Sequence, residues 1–173
     1  MQKRLVLKLM TLGILLSILG GLSYMEYRNF QDKVEDDDQI LSSEGEIVSF
    51  RNVEVKEDML KSLTNMCKSA GRDHVELKIR YGYLTDEEES QLMIEGEEFD
   101  TGMQVDFYSK IEGRNELMWQ WLEENAHKYG FILRYPEGKE ALTGHTANRS
   151  TYRYVGANVA TTMKEQNLCL EEL

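Results

Sequence analysis

Two cysteines and three histidines are all the thiol and imidazole ligands that 173 residues offer to a metal ion. Cys67 and Cys169 lie far apart in the chain, and neither belongs to a CxxC or a Cys/His cluster, so a structural zinc site has no sequence support. They serve either as small apolar core residues or, outside the cell, as a disulfide pair; the sequence favours the first. Glycine-rich phosphate loops, a GxSxG elbow and a Cys–His pair are all missing. The phosphoryl-transfer and nucleophilic-hydrolase classes that depend on them are therefore unsupported. Positive charge is also short. Twenty Lys and Arg face 31 Asp and Glu, for a net charge of −11. Residues 1–29 carry Lys3, Arg4, Lys8 and Arg28 against Glu26, a net of +3, which leaves −14 on the rest. An acidic body argues against nucleic acid, anionic lipid or another polyanion as its main partner.

What is present begins with an apolar run, Leu9 to Leu22, behind Lys3, Arg4 and Lys8. Counted from Leu5 it approaches the roughly 20 residues of a membrane span. No clean small-x-small cleavage site follows, and no cysteine nearby could take a lipid. The expectation is an uncleaved signal anchor over residues 1–25, single pass, with its basic end in the cytoplasm. Residues 26–45 centre on Glu35-Asp36-Asp37-Asp38 and read as a solvated acidic linker. That run lacks the glycine and spacing of a calcium loop. The extracytoplasmic domain is then residues 46–173.

Within it, Ile47, Val48, Phe50, Val53 and Val55 suggest a short strand over 46–56. Residues 58–70 predict a helix capped by Asp58 and closed by Gly71, with Leu60, Leu63, Met66, Cys67 and Ala70 on one face. Residues 74–83 alternate as a strand with Val75, Leu77, Ile79 and Tyr81 on one side. Thr85-x-x-Glu88 is a capping box opening a helix to Met93. Met103, Val105 and Phe107 alternate in a strand over 96–109. Residues 116–129 predict a helix that stops at Gly130, followed by a strand over 131–135 that Pro136 ends. A turn at Gly138 leads to an extended segment over 142–155 and a closing helix over 159–166. With helices and strands segregated, the fold class is α+β, a small mainly antiparallel sheet with packed helices.

NAHKYGFILRYP at Asn125–Pro136, LTG at Leu142–Gly144, YRYVG at Tyr152–Gly156 and CLEEL at Cys169–Leu173 together resemble the VanY-type D-alanyl-D-alanine carboxypeptidases. The resemblance spans roughly residues 51–173. It implies a D-alanyl-D-alanine carboxypeptidase or Hedgehog-like fold and, in the family, a zinc site that trims peptidoglycan stem peptides. The family draws a histidine and an aspartate from a motif like SEHQTGLAVD, which aligns with EEFDTGMQVD at Glu97–Asp106. A second histidine and the glutamate base come from a motif like EPWHYRYVG, which aligns with NRSTYRYVG at Asn148–Gly156. The histidine positions are Phe99 and Thr151, and the base position is Asn148. The family arginine, in a segment aligned with Tyr81-Gly82-Tyr83-Leu84, is Leu84. Only Asp106 remains of the metal ligands. Phenylalanine has no lone pair, a threonine hydroxyl is a poor zinc ligand at neutral pH, and an asparagine amide takes no proton from water. The resemblance therefore implies a zinc cofactor in the family and its loss here.

In an extended chain Glu98 and Asp100 would point away from Phe99's side. His145, His127 and His74 read as surface or core-edge residues. Phe99, Tyr81, Tyr83, Tyr108 and Tyr152 bracket the old site, and Arg153 and Arg134 are candidates to meet a peptide carboxylate; the alternative for the aromatics is simple core filling. Three functional expectations follow. The leading one is an inactive, membrane-anchored protein that binds peptidoglycan stem peptide or an envelope protein. The second is an active carboxypeptidase with a non-standard zinc site built from Asp106, His145 and a carboxylate. The third is a purely structural partner in an envelope complex.

Overall fold

A computed structural model describes residues 46–94, 98–111 and 113–173; the anchor and linker expected over 1–45 lie outside the described residues. Among the described residues no helix is long and apolar enough to cross a membrane.

The chain first forms a hairpin, β1 (Ile47–Phe50) and β2 (Val53–Lys56), where one continuous strand was expected. Arg51 turns the chain with φ +57. Its guanidinium then donates to Leu77 O at 2.9 Å, and Asn52 Nδ2 to Ile79 O at 3.3 Å, which ties the hairpin tip to the next strand. Helix α1 (Glu57–Arg72) follows at once. Asp58 lies inside its first turn rather than at the cap, where its charge favours the positive helix end. Gly71 also lies inside; the helix ends instead at Asp73 and His74, the latter with φ +61. Met59, Leu63, Met66, Cys67 and Ala70 recur at helical spacing and are buried. Each large side chain in that stripe contributes about 1.5–3 kcal/mol by leaving water. Both cysteines are free and buried.

Four antiparallel strands make the main sheet, in the order β3 (Lys78–Tyr81), β4 (Gln104–Tyr108), β6 (Asn148–Tyr154), β5 (Phe131–Tyr135). Between them lie α2 (Asp86–Leu92), α3 (Asn115–Asn125), the one-turn α4 (Glu140–Thr143) and finally α5 (Ala157–Gln166). The expected capping box is present, with Thr85 and Glu88 bonding each other's backbone N–H. Helix α3 is shorter than expected; its last turn, Ala126–Tyr129, tightens to 3-10 before Gly130 at φ +86. A Cβ at Gly130 would sit 2.6 Å from the Tyr154 ring, so the residue is held small by packing as well as by φ.

Register sorts the sheet into two faces, because side chains alternate and paired residues share a side. Ile79, Val105, Phe107, Tyr152, Leu133 and Phe131 face the core with α1 and α3. Gln104, Asp106, Thr151 and Arg153 fall on the other face, as does Arg134 by alternation from Leu133. Register slips at two places, between Leu133 and Tyr135 and between Ile79 and Tyr81, and the second changes the face of a site residue. Ile79 pairs with Phe107 but Tyr81 pairs with Asp106, so a bulge at Arg80 moves Tyr81 to the Asp106 face.

Candidate functional site

Asp106 on β4 stands opposite Thr151 on β6, and both are buried, at 4% and 0% exposure. The segment before β4 is not extended, as the sequence suggested. Glu98 has φ +61 and Phe99–Thr101 is a 3-10 turn closed by Gly102 at φ +67. A Cβ at Gly102 would lie 2.7 Å from Ile47 Cδ1, and Gly102 O accepts from Lys56 N, so the turn is seated on the hairpin. Glu89 of α2 buttresses it from outside by accepting from Asp100 N at 3.1 Å. The turn buries Phe99 edge-on against Tyr81, ring centroids 5.9 Å apart. Leu84 is joined to the same place, its N–H donating to Phe99 O at 3.4 Å. All five motif positions therefore belong to one end of the sheet.

A hydrogen-bond network occupies that end. Ser150 Oγ meets Asp106 Oδ2 in a short contact and lies 2.8 Å from Asn148 Oδ1. Thr151 Oγ1 donates to the same carboxylate oxygen at 3.3 Å and accepts from Asn148 Nδ2 at 3.0 Å. The Ser150 N–H fixes the Asn148 amide by donating to its oxygen at 2.8 Å. Among the described residues Asp106 Oδ1 has no hydrogen-bond partner, and Arg80 Nε lies 3.6 Å from it. Burial pushes the Asp106 carboxyl above its ordinary range, against the pull of Ser150, Arg80 and Thr151. Ser150 and Arg80 were not among the residues singled out in the sequence. Ser150 lay unremarked inside the segment Asn148–Gly156, and Arg80 inside the strand expected over 74–83.

These side chains do not fit a three-ligand zinc centre. Zinc needs nitrogen, thiolate or carboxylate donors around one open position. Here the carboxylate is bonded to two hydroxyls, the third position is a phenyl ring, and the base position is an amide. Among the described residues no three His, Cys, Asp or Glu side chains converge to hold a metal ion. The substitute set is not assembled either. Glu98 is bonded to Arg134 at 3.0 Å through both oxygens, and the His145 ring packs on Tyr135 at 4.7 Å.

Arg134 and Arg153, expected to be open to a ligand carboxylate, have internal partners. Arg134 is 3% exposed and takes Glu98 and also Glu171 at 2.6 Å. Burial pushes the Glu98 carboxyl up, but Arg134, with help from Arg153 and His145, outweighs it and holds Glu98 below the usual range. Arg153 is 6% exposed and donates to Thr101 Oγ1 at 2.6 Å. Tyr152 faces the core, where burial raises its phenol well above the ordinary value. Tyr83 stays half-buried at the site's edge, its N–H donating to Glu54 O. Beside Asn148 an open pocket of about 470 Å³ is lined by Trp119, His145, Thr146, Ala147 and Arg149. Arg149 covers the Trp119 ring and pairs through two bonds with Glu116, at 3.0 and 3.2 Å.

A family model for D-alanyl-D-alanine carboxypeptidase, VanY, matches residues 95–157, which contain both motifs. A D-alanyl-D-alanine carboxypeptidase of Enterococcus faecium is 34% identical over 161 residues, covering 82% of this chain and 52% of the relative. One from Enterococcus faecalis is 41% identical over 76 residues, covering 43% and 28%. The chain thus spans about half the length, or less, of the curated relatives it matches. Among solved structures, a mutant of the vancomycin resistance D,D-pentapeptidase VanY in complex with Zn(II) is similar, with TM-score 0.71 and 27% identity over 75% of this chain and 89% of that one. VanYB in complex with D-alanine-D-alanine gives TM-score 0.70 and 28% identity over 75% and 87%.

Proposed function

This chain belongs to the VanY-type D-alanyl-D-alanine carboxypeptidase family, and from that premise we propose that it binds peptidoglycan stem peptides without hydrolysing them. The observation that carries this reading is the network of Asp106, Ser150, Asn148 and Thr151. Peptide hydrolysis by this scaffold needs a polarising cation and a group that accepts a proton from water. Phe99 and Thr151 offer no site for the first, and Asn148 cannot do the second. What supports retained binding is the scaffold around them and the neighbour VanYB, whose structure holds D-alanine-D-alanine. The basic residues Lys3, Arg4 and Lys8 before an apolar run support a membrane-anchored protein with residues 46–173 in the extracytoplasmic envelope.

Two measurements on the purified full chain test the reading. Zinc content is expected far below one ion per chain, with no D-alanine released from a pentapeptide ending in D-Ala-D-Ala. Calorimetry with the same pentapeptide is expected to show binding. Release of D-alanine that a chelator abolishes would overturn the inactive reading in favour of a non-standard zinc site. No heat of binding, with an envelope protein captured instead, would move the function to that partner.

A further inference from the structure

We propose that Arg80 is the residue that grips the ligand's terminal carboxylate. The inference rests on the stem-peptide reading above and names the part of this site that would recognise the peptide end. Among the described residues four guanidiniums lie around the site, and three are committed elsewhere. Arg134 is buried between Glu98 and Glu171, Arg153 is buried on Thr101, and Arg149 is held in a two-bond pair by Glu116. Arg80 differs on every count. Its side chain is 52% exposed. Its guanidinium makes no hydrogen bond to any described residue, and its one ion pair is the 3.6 Å approach of Nε to Asp106 Oδ1. The two terminal nitrogens are therefore free of described partners, and a planar fork of that kind matches a carboxylate through two parallel bonds.

The position is built rather than incidental. A bulge places Arg80 as the extra residue between Ile79 and Tyr81. Its guanidinium carbon lies 5.4 Å from the Tyr108 ring centroid and 6.0 Å from that of Tyr81. Two rings and one buried carboxylate thus hold a half-exposed cation beside Asp106, on the strand that leads to Tyr83 and Leu84. On a body that carries an excess of acid, an anionic peptide end needs such a local cation to dock.

The test compares two synthetic pentapeptides ending in D-Ala-D-Ala, one with a free carboxylate and one amidated, by calorimetry on the full chain. Wild type is expected to prefer the acid by about tenfold or more, the scale of a hydrogen-bonded charge pair. Arg80→Gln is expected to bind both peptides equally at the weaker level, and Arg80→Lys to keep part of the preference. The acid-to-amide ratio of the wild type needs no variant, so a poorly folding Arg80→Gln leaves the test intact. Equal binding of acid and amide by wild type, or an unchanged preference in Arg80→Gln, would overturn the role of Arg80 while stem-peptide binding stands. Binding of neither peptide would sink the stem-peptide reading itself, and this inference with it.

Discussion

On one face of the four-stranded sheet, Ile79, Val105, Phe107, Phe131 and Tyr152 pack against α1 and α3. On the other, Asp106, Thr151, Arg153 and Arg134 lie nearly as deep, each at 6% exposure or less. The strands are the same and the depth is similar, but different forces hold the two faces. The first gains from removing apolar area from water and filling space closely. The second gains little from burial itself, since each polar group must find a partner to recover what desolvation costs. The polar face is the more sensitive to chemical identity and the less sensitive to volume. That difference explains how a site can change its chemistry while the scaffold behind it stays recognisable.

The largest effect should come from the apolar face. Phe107 is 1% exposed and packs edge-on against Tyr152 at 6.0 Å. Phe107→Ala is expected to cost about 3–5 kcal/mol of stability, through lost transfer energy and the cavity left behind. Denaturant unfolding would measure it. A loss under about 1 kcal/mol would mean that this face is loosely packed, and the contrast between the faces would fail.

A smaller loss is expected on the polar face from Arg134→Met. Removing a buried cation strands its carboxylates, which costs about 3–5 kcal/mol when both are fully buried. Here the Glu98 side chain is 38% exposed and that of Glu171 26% exposed, so both recover some hydration. The expected cost is therefore about 2–3 kcal/mol, read by the same unfolding assay. A neutral result would show that the ion cluster is dispensable and that this face too is held by packing.

The apolar face was largely legible from sequence. Period-two alternation gave β3 and β4, helical spacing gave α1, and the apolar run stopped by Pro136 gave β5 behind the end of α3. The polar face was legible only in part. The aligned motifs contain Phe99, Asp106, Asn148 and Thr151, and the sheet register sets Asp106 opposite Thr151. Local irregularities escaped, because alternation is blind to them. The bulge at Arg80 changes the face of Tyr81, and the left-handed Glu98 turns what reads as an extended chain into a 3-10 turn. Glu98 consequently meets Arg134, a contact no spacing rule indicates. The hairpin at 47–56 was hidden because its turn residues, Arg51 and Asn52, carry no glycine signal.

The subtlest expected effect is also the sharpest test of the polar face, and it concerns the charge on Asp106. Burial raises this carboxyl, and Ser150, Arg80 and Thr151 only partly offset that. A folded-state pKa above the unfolded value of about 3.9 means that the native protein holds its proton more tightly than the unfolded chain. The stability this group contributes is then fully present below the unfolded value and is lost as pH rises through the raised one. In Asp106→Asn the side-chain amide does not titrate, yet its oxygen can still accept from Ser150 and Thr151. The variant should therefore lie within about 1 kcal/mol of wild type near neutrality, and should gain on wild type as pH rises from the unfolded value upward to neutrality. Urea midpoints of both proteins across that range would decide it. If wild type instead gains on the variant with rising pH, the Arg80 pair outweighs desolvation, and Asp106 is a charge the fold exploits rather than one it tolerates.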